Sequence, residues 1–491
     1  MDTSKKLVNA FLWNLIGRWG VRFIGIASSL ILLRLLAPDM FGVMALATIY
    51  IGLFEVFAHS GINRYLIVRT ELTDDDLNTA WTLNLIIRFI ISALLVLSAG
   101  YISELVKDSR VENVVIAVAL INFLGAFGNI ALIRFQKAVN YKPTNTLEIY
   151  TKLLSTSVTL TTAYFYPTYW ALIVGNFFAM LSGLIGGYIL LPYLPKLNFQ
   201  FEKALFTNSA WIYLRNILSY FRNRIDVFFV GHFFDTTAVG KYKISQDFAT
   251  LPFSEVISPA TRGMFPALSE YKNQKQALFD KTYKFLALVY SIIIPSIFGF
   301  FIIATQFSTV VLGEKWADAA TLLPALSLLM LSYPLNGISH NLFDYLNKSH
   351  LGVLNDFIGV TVLALVFLSW QFTSIEVFTQ IRAYLAVLLF LILIIIVRVA
   401  LGFSLKAMCS IILVPLSASL VMYAAFTFIY VNENITLGGL FINMFLGACY
   451  FFVAMFLLVL TIKSKSTIWQ FWFIKVLDIL GALKNRMIGL G

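Results

Sequence analysis

Basic residues one helical turn apart, set inside long apolar runs, are the first chemistry this sequence offers. Arg18 and Arg22 are four apart in one run, and Asn84 and Arg88 in another, so each pair shares a helix face. A third run carries Arg215, Ser219, Arg222 and Asp226 on one stripe, with Arg224 off it, and Arg262 follows in the next. An ionisable side chain at bilayer depth costs at least about 2.5–3.5 kcal/mol on insertion scales, so it faces a cavity or a partner. A guanidinium stays protonated and presents two aligned donors, which suits a phosphate or diphosphate. Carboxylates within the same runs are fewer, and Arg222 with Asp226 reads equally well as a neutralised pair. The surplus that remains makes Arg22, Arg88, Arg215, Arg222 and Arg262 the candidate ligands of an anionic substrate. Arg18 joins them, although near the end of its run it could also snorkel to headgroups.

The acids at depth point to a second kind of chemistry. Glu55, Asp247, Glu255 and Asp344 each fall inside an apolar run, where opening and closing of a cavity would change their proton affinity. They are the candidates for exchanging a proton or sodium ion. Glu55 and His59 could equally be a satisfied hydrogen-bonded pair, and Asn336, His340 and Asp344 form a stripe of their own. No P-loop, H-E-x-x-H or G-x-S-x-G pattern occurs, and the expectation is a protein that is not an enzyme and carries no cofactor. With no nucleotide site, energy would come from an ion gradient or from the substrate's own gradient.

These residues must be positioned by helices in a membrane. Of 491 residues 59% are apolar and 12% charged, against roughly a quarter charged in soluble domains. Apolar runs of about 20 residues, enough to span a hydrocarbon core of about 30 Å, recur along the chain. The fold class expected is an all-α polytopic membrane protein of about fourteen transmembrane helices. The net charge of +11 sits in short clusters between runs, as in cytoplasmic loops, and not in a patch for nucleic acid. Nineteen lysines and arginines, from Lys5 and Lys6 to Lys484 and Arg486, fall on the N-terminal side, against Lys107, Arg110 and Lys315 on the other. Both termini should therefore be cytoplasmic. The apolar residues of the N-terminus are interrupted by Arg18 and Arg22 with no close cleavage site, so this segment reads as a retained span.

A faint repeat accompanies the runs. Arg34 to Gly42 closes the first run and opens the second, and His232 to Gly240 does the same 198 residues later. Both have a basic residue, a tight turn and a glycine eight positions on, as parallel repeats of six spans would. From Ser464 onward the chain is too charged to span and reads as an amphipathic helix lying in the cytoplasmic interface, with Trp469 and Trp472 as anchors.

Several blocks resemble one known family, the polysaccharide transporters of the multidrug/oligosaccharidyl-lipid/polysaccharide exporter superfamily. They include LLAPDMFGVMALA after the first run, LIVRTELTDDDLNTAWTLNL, RFQKAVNYK and YWALIVGNF. The most specific is RNRIDVFFVGHFFDTTAVGKYKISQDFATLP followed by RGMFPALSEY. Asp226, Gly231, Gly240, Tyr242, Pro252 and Pro266 fall where the family has the same residue types. Gly42 closes its proline-acid-x-aromatic-glycine pattern. Asp226, Gly42, Gly240, Pro252 and Pro266 are the expected structural positions, while the aliphatic Val227-Phe-Phe-Val departs from the family's pattern.

The resemblance implies a two-lobed bundle around a central cavity, with an N-lobe at 1–200, a C-lobe at 201–402, an added helix pair at 403–462 and the tail at 463–491. It implies alternating access and the turning over of undecaprenyl-diphosphate-linked oligosaccharide from the cytoplasmic to the outer leaflet of the inner membrane. The partners implied are that lipid-linked oligosaccharide, membrane lipids and other polysaccharide assembly proteins. A drug or cation exporter of the same superfamily would want a cavity dominated by carboxylates. A membrane-embedded polymerase or ligase would want a long outer loop, which the sequence lacks.

Overall fold

The computed structural model describes residues 3–58, 66–67, 69, 71–200, 210–271, 273–428, 435–463 and 466–488, all helix, turn or irregular, with no strand among them. The chain divides into two compact units, Met1–Lys241 and Tyr242–Gly491.

The first unit opens with α1 (Thr3–Leu35) and α2 (Pro38–Ala58), followed by α3 (Asp74–Val106) and α4 (Arg110–Gly125), the last bent by 65° into the short α5 (Ile133–Lys137). Then come α6 (Lys142–Phe165), α7 (Trp170–Leu190), α8 (Ala210–Phe233) and the start of α9 (Thr236–Ala249). Local sequence fixes several of these ends. The Thr73 hydroxyl accepts the Asp76 N–H at 3.2 Å while the Asp76 carboxylate accepts the Thr73 N–H at 3.0 Å, a reciprocal cap. Three aspartates in that first turn suit the positive end of the helix dipole. Helix α1 packs along α6, α6 along α7, and α2 against α3, α4 and α8. Small residues permit these approaches. A Cβ at Gly17 would lie 2.7 Å from Asn145, and one at Gly175 would lie 1.7 Å from the Thr159 hydroxyl.

The two glycines of the repeat meet. A Cβ on Gly42 would stand 1.7 Å from the Thr236 carbonyl oxygen, and one on Gly240 would stand 1.9 Å from that of Pro38. The N-terminal turns of α2 and α9 therefore cross backbone on backbone, which no larger residue allows. Beside the crossing, Arg110 donates to Asp39 at 2.6 Å, to Asp108 at 2.8 Å and to the Thr236 hydroxyl at 3.1 Å.

The second unit continues through a π-helical turn at Pro252–Ile257, opened by the proline that has no N–H to donate, into α10 (Ser258–Ser269). The long α11 (Lys275–Phe307) follows, then α12 (Ala319–Ser327), α13 (Ser332–Tyr345), α14 (Ser349–Ser369) and α15 (Ile375–Leu401). The unit closes with α16 (Leu405–Phe428), α17 (Leu437–Ile462) and α18 (Thr467–Ile488). Helix α11 is its axis, packed by α12, α16, α17 and α18. The expected tail is helical as α18, but Trp469 and Trp472 are buried in protein, at 0% and 3% exposure, and the Trp469 indole donates to Ser410 at 2.7 Å. They fasten α18 to the bundle, its amphipathic stripe covering the apolar helices α11 and α17. Its exposed residues include Ile474, Lys475, Leu477 and Asp478.

Among the described residues nine helices are long and apolar enough to cross a membrane, or ten if the bent pair α4–α5 is one span. The chain is thus a multi-pass membrane protein. The remaining expected spans correspond to α1, α6, α8 and the α9–α10 stretch, which fall outside that set. They are the helices that carry most of the candidate site, with charged residues and, on α6, many hydroxyls within them.

Candidate functional site

Helix α1 has 33 residues, about 50 Å at 1.5 Å per residue. A window of about 20 residues ending at Leu35 includes both Arg18 and Arg22, with Arg18 near its far end and Arg22 one turn further in. Both are exposed on their unit. The neighbouring α6 brings a third cation that sequence reasoning passed over: Lys152, the middle of its helix, lies against Gly25 of α1, with its amine 3.9 Å from where a Cβ would stand. Glycine at that position makes the room. Gly25 is three residues beyond Arg22, so Lys152 reaches α1 about one turn from it. Glu148 is exposed one turn before Lys152. The signal that could have found Lys152 is the one applied to the arginines, a charge in mid-span.

A second charged group joins α2, α3 and α8. Glu55 is exposed on α2, and its carboxylate acts electrostatically on Arg88 and on the Tyr220 hydroxyl. Arg224, off the stripe in the sequence reading, also acts on Tyr220. Tyr220 is held by donating to the Ile49 carbonyl of α2, where Gly52 leaves it space. Arg88 is held on both sides: it takes Asn84 at 3.3 Å, the partner its four-residue spacing predicted, and both the carbonyl and the side-chain oxygen of Asn122 on α4. Arg88 is thus a fixed guanidinium, while Arg18 and Arg22 are presented outward. Arg215 and Arg222 are half-buried on α8, and Asp226 is fully buried beneath them, with its carboxylate accepting the Val227 N–H at 2.9 Å. His59 lies outside the described residues. So do the side chains of Arg262 and Pro266, both on α10.

The acids of the second unit are placed differently from one another. Asp247 is exposed on α9 and paired with Lys243. Glu255 is half-buried in the π-helical turn and accepts from Ser254 at 2.7 Å. Asp344 is half-buried at the end of α13 and accepts from Ser349 at the start of α14, at 2.7 Å. Asp356, which sequence reasoning did not single out, is fully buried on α14, and Arg382 is buried on α15 at 7% exposure. No group of three or more His, Cys, Asp or Glu side chains fit to hold a metal occurs among the described residues.

Chemically, cations clustered on apolar helices with an offset carboxylate can hold an anion away from bulk water. A family model described as "Polysaccharide biosynthesis protein" matches residues 31–321. The chain is 22% identical over 336 residues to the lipopolysaccharide biosynthesis protein WzxC of Escherichia coli (strain K12), covering 67% of each chain. It is 20% identical over 318 residues to the succinoglycan biosynthesis transport protein ExoT of Rhizobium meliloti (strain 1021), covering 64% of this chain and 63% of that one. Among solved structures, the lipid II flippase MurJ in an inward closed conformation aligns with a TM-score of 0.69 at 13% identity. That match covers 90% of this chain and 98% of the other, and it speaks to the fold.

Proposed function

Because the chain belongs to the polysaccharide biosynthesis protein family, its model covering residues 31–321, we propose that it is a transporter of the multidrug/oligosaccharidyl-lipid/polysaccharide exporter superfamily that turns over lipid-linked oligosaccharide. The substrate is an undecaprenyl-diphosphate-linked repeat unit, moved from the cytoplasmic to the outer leaflet of the inner membrane for surface polysaccharide assembly. Alternating access is the mode of transport, and both termini are cytoplasmic.

The observation that supports this reading is the gathering of Arg18, Arg22 and Lys152 on the packed pair α1 and α6. A diphosphate crossing the hydrocarbon region needs its charge matched along the way, and a carrier of cations or neutral drugs has no use for three cations gathered on two such helices. Arg88, Arg215 and Arg222 add cations within the same unit, where Glu55 offsets part of the charge; Arg262 remains a candidate ligand. Glu55, Asp247, Glu255 and Asp344 remain the candidates for proton or sodium exchange, with Asp344 the best supported by the further arrangement described below.

The test is complementation in a strain that lacks its own flippase, with membrane abundance measured for each variant. Arg18→Ala and Arg22→Ala, singly and with Lys152→Ala, should cut polysaccharide export severely at normal abundance. Normal export from the triple variant would overturn the reading.

A further inference from the structure

Helices α13 and α14 enclose a polar group that the anion reading leaves unused. Asn336, His340 and Asp344 follow one another at four-residue intervals along one face of α13. Facing them from α14, Asp356 is fully buried, and its Oδ1 lies 3.7 Å from the His340 Nε2. The Asn355 amide donates to the Asn336 oxygen at 2.9 Å and to Asp356 at 3.4 Å. His340 retains 16% side-chain exposure, and Asp344 stands at the turn between the two helices, taking the Ser349 hydroxyl.

We infer that His340 and Asp356 form a proton-binding pair reached from the α13–α14 turn by way of Asp344. A carboxylate with no exposure at this depth is costly as a lone anion. An imidazole beside it changes charge near neutral pH, as no other side chain ordinarily does. A proton from water at the turn adds to the His340 ring nitrogen, and the imidazolium so formed is paired with the Asp356 carboxylate. Deprotonation returns that proton to water and leaves a neutral ring. The spacing supplies the path: each step of four residues is about 6 Å along the helix axis, so Asp344 stands one step outside His340.

Other ionisable groups on the elements packed against this hairpin set its electrostatic frame. They are the buried Arg382 on α15, Glu255 in the π-helical turn, Tyr290 on α11, donating to the Leu331 carbonyl at 2.8 Å, and His350 on α14 itself. Arg262 belongs to α10, which also packs on α13.

What the proton drives rests on the transport reading above; the binding pair does not. The experiment follows histidine-labelled full-length protein in lipid nanodiscs by NMR from pH 5 to 9. Only four histidines are present, and His340→Gln identifies the signal of interest. His340 should titrate reversibly within that range, and Asp356→Asn should weaken its proton binding about tenfold, one pH unit, with His232 unmoved. A His340 signal silent over the whole range overturns the proposal, and a wild-type spectrum in which none of the four histidine signals titrates does so without any variant. So does a midpoint that Asp356→Asn leaves unchanged. In cells, His340→Gln at normal abundance should flatten the pH dependence of export. A wild-type chain that fails to restore export at any pH would instead sink the transport reading and leave the titration standing.

Discussion

Arg18 and Arg22 differ from Arg88 in exposure, and that difference makes separable expectations. Arg18 and Arg22 are outward-facing donors, so lysine at either position keeps charge and loses the two-pronged geometry. Export should fall partially with lysine and severely with alanine, measured against membrane abundance. Arg88 is clasped by Asn84 and Asn122. Arg88→Ala leaves those amides without their partner, so abundance as well as export should drop, by about 1–3 kcal/mol of stability in a detergent unfolding assay. A drop in export alone, with stability intact, would make Arg88 a ligand only. The four-residue spacing of Arg18 with Arg22, and of Asn84 with Arg88, was legible because a helix turn is a local property. Lys152 beside Gly25, Asn122 beside Arg88 and Asp356 beside His340 were not, since each pairing depends on which helix packs against which.

At the scale of elements, the crossing of α2 and α9 is the most sensitive contact. Even a methyl at Gly42 or Gly240 would meet a carbonyl oxygen at under 2 Å. Gly42→Ala and Gly240→Ala should each destabilise by about 1–3 kcal/mol, read as a lower unfolding midpoint. Asp108 adds a pH dependence at the adjoining turn. Burial raises its proton affinity, but hydrogen bonds from the Arg110 side chain and backbone, the Arg110 charge and Thr236 together outweigh this and hold its carboxyl below the usual range. A lowered carboxyl stabilises the fold above its ordinary titration near pH 3.9, and the contribution disappears as pH falls through the lower folded value. Arg110→Ala should therefore lower the unfolding midpoint modestly at pH 7, these charges being partly exposed, and leave it nearly unchanged near pH 2, which flattens the acid sensitivity between about pH 4 and 2. The repeat around Gly42 and Gly240 was visible in the sequence as a pattern. That its two glycines touch each other was not, because a pattern of equal spacing says nothing of contact.

Over the whole molecule, apolar length alone gave the helical membrane architecture, since hydrocarbon leaves the backbone no other partner than itself. It did not give Trp469 and Trp472 their buried places, because an amphipathic stripe looks the same whether protein or lipid covers it. Reporter fusions at Gly491 should be active only with a cytoplasmic reporter, as the nineteen-to-three charge asymmetry requires; periplasmic activity there would falsify that orientation. The weak apolarity of α1, α6 and α8 also bears on how the chain is made. A translocon passes segments to lipid by their hydrophobicity, and each central arginine costs such a segment about 2.5–3.5 kcal/mol. Helix α1, made before its partner, is thus poor at entering lipid alone, and the helix it packs on, α6, begins only at Lys142. Nascent α1 must wait at the protein-lined exit, or be held by a chaperone, until more than a hundred further residues have been synthesised. Truncations that end before α6 should then be cleared by membrane proteases, while those that include it persist.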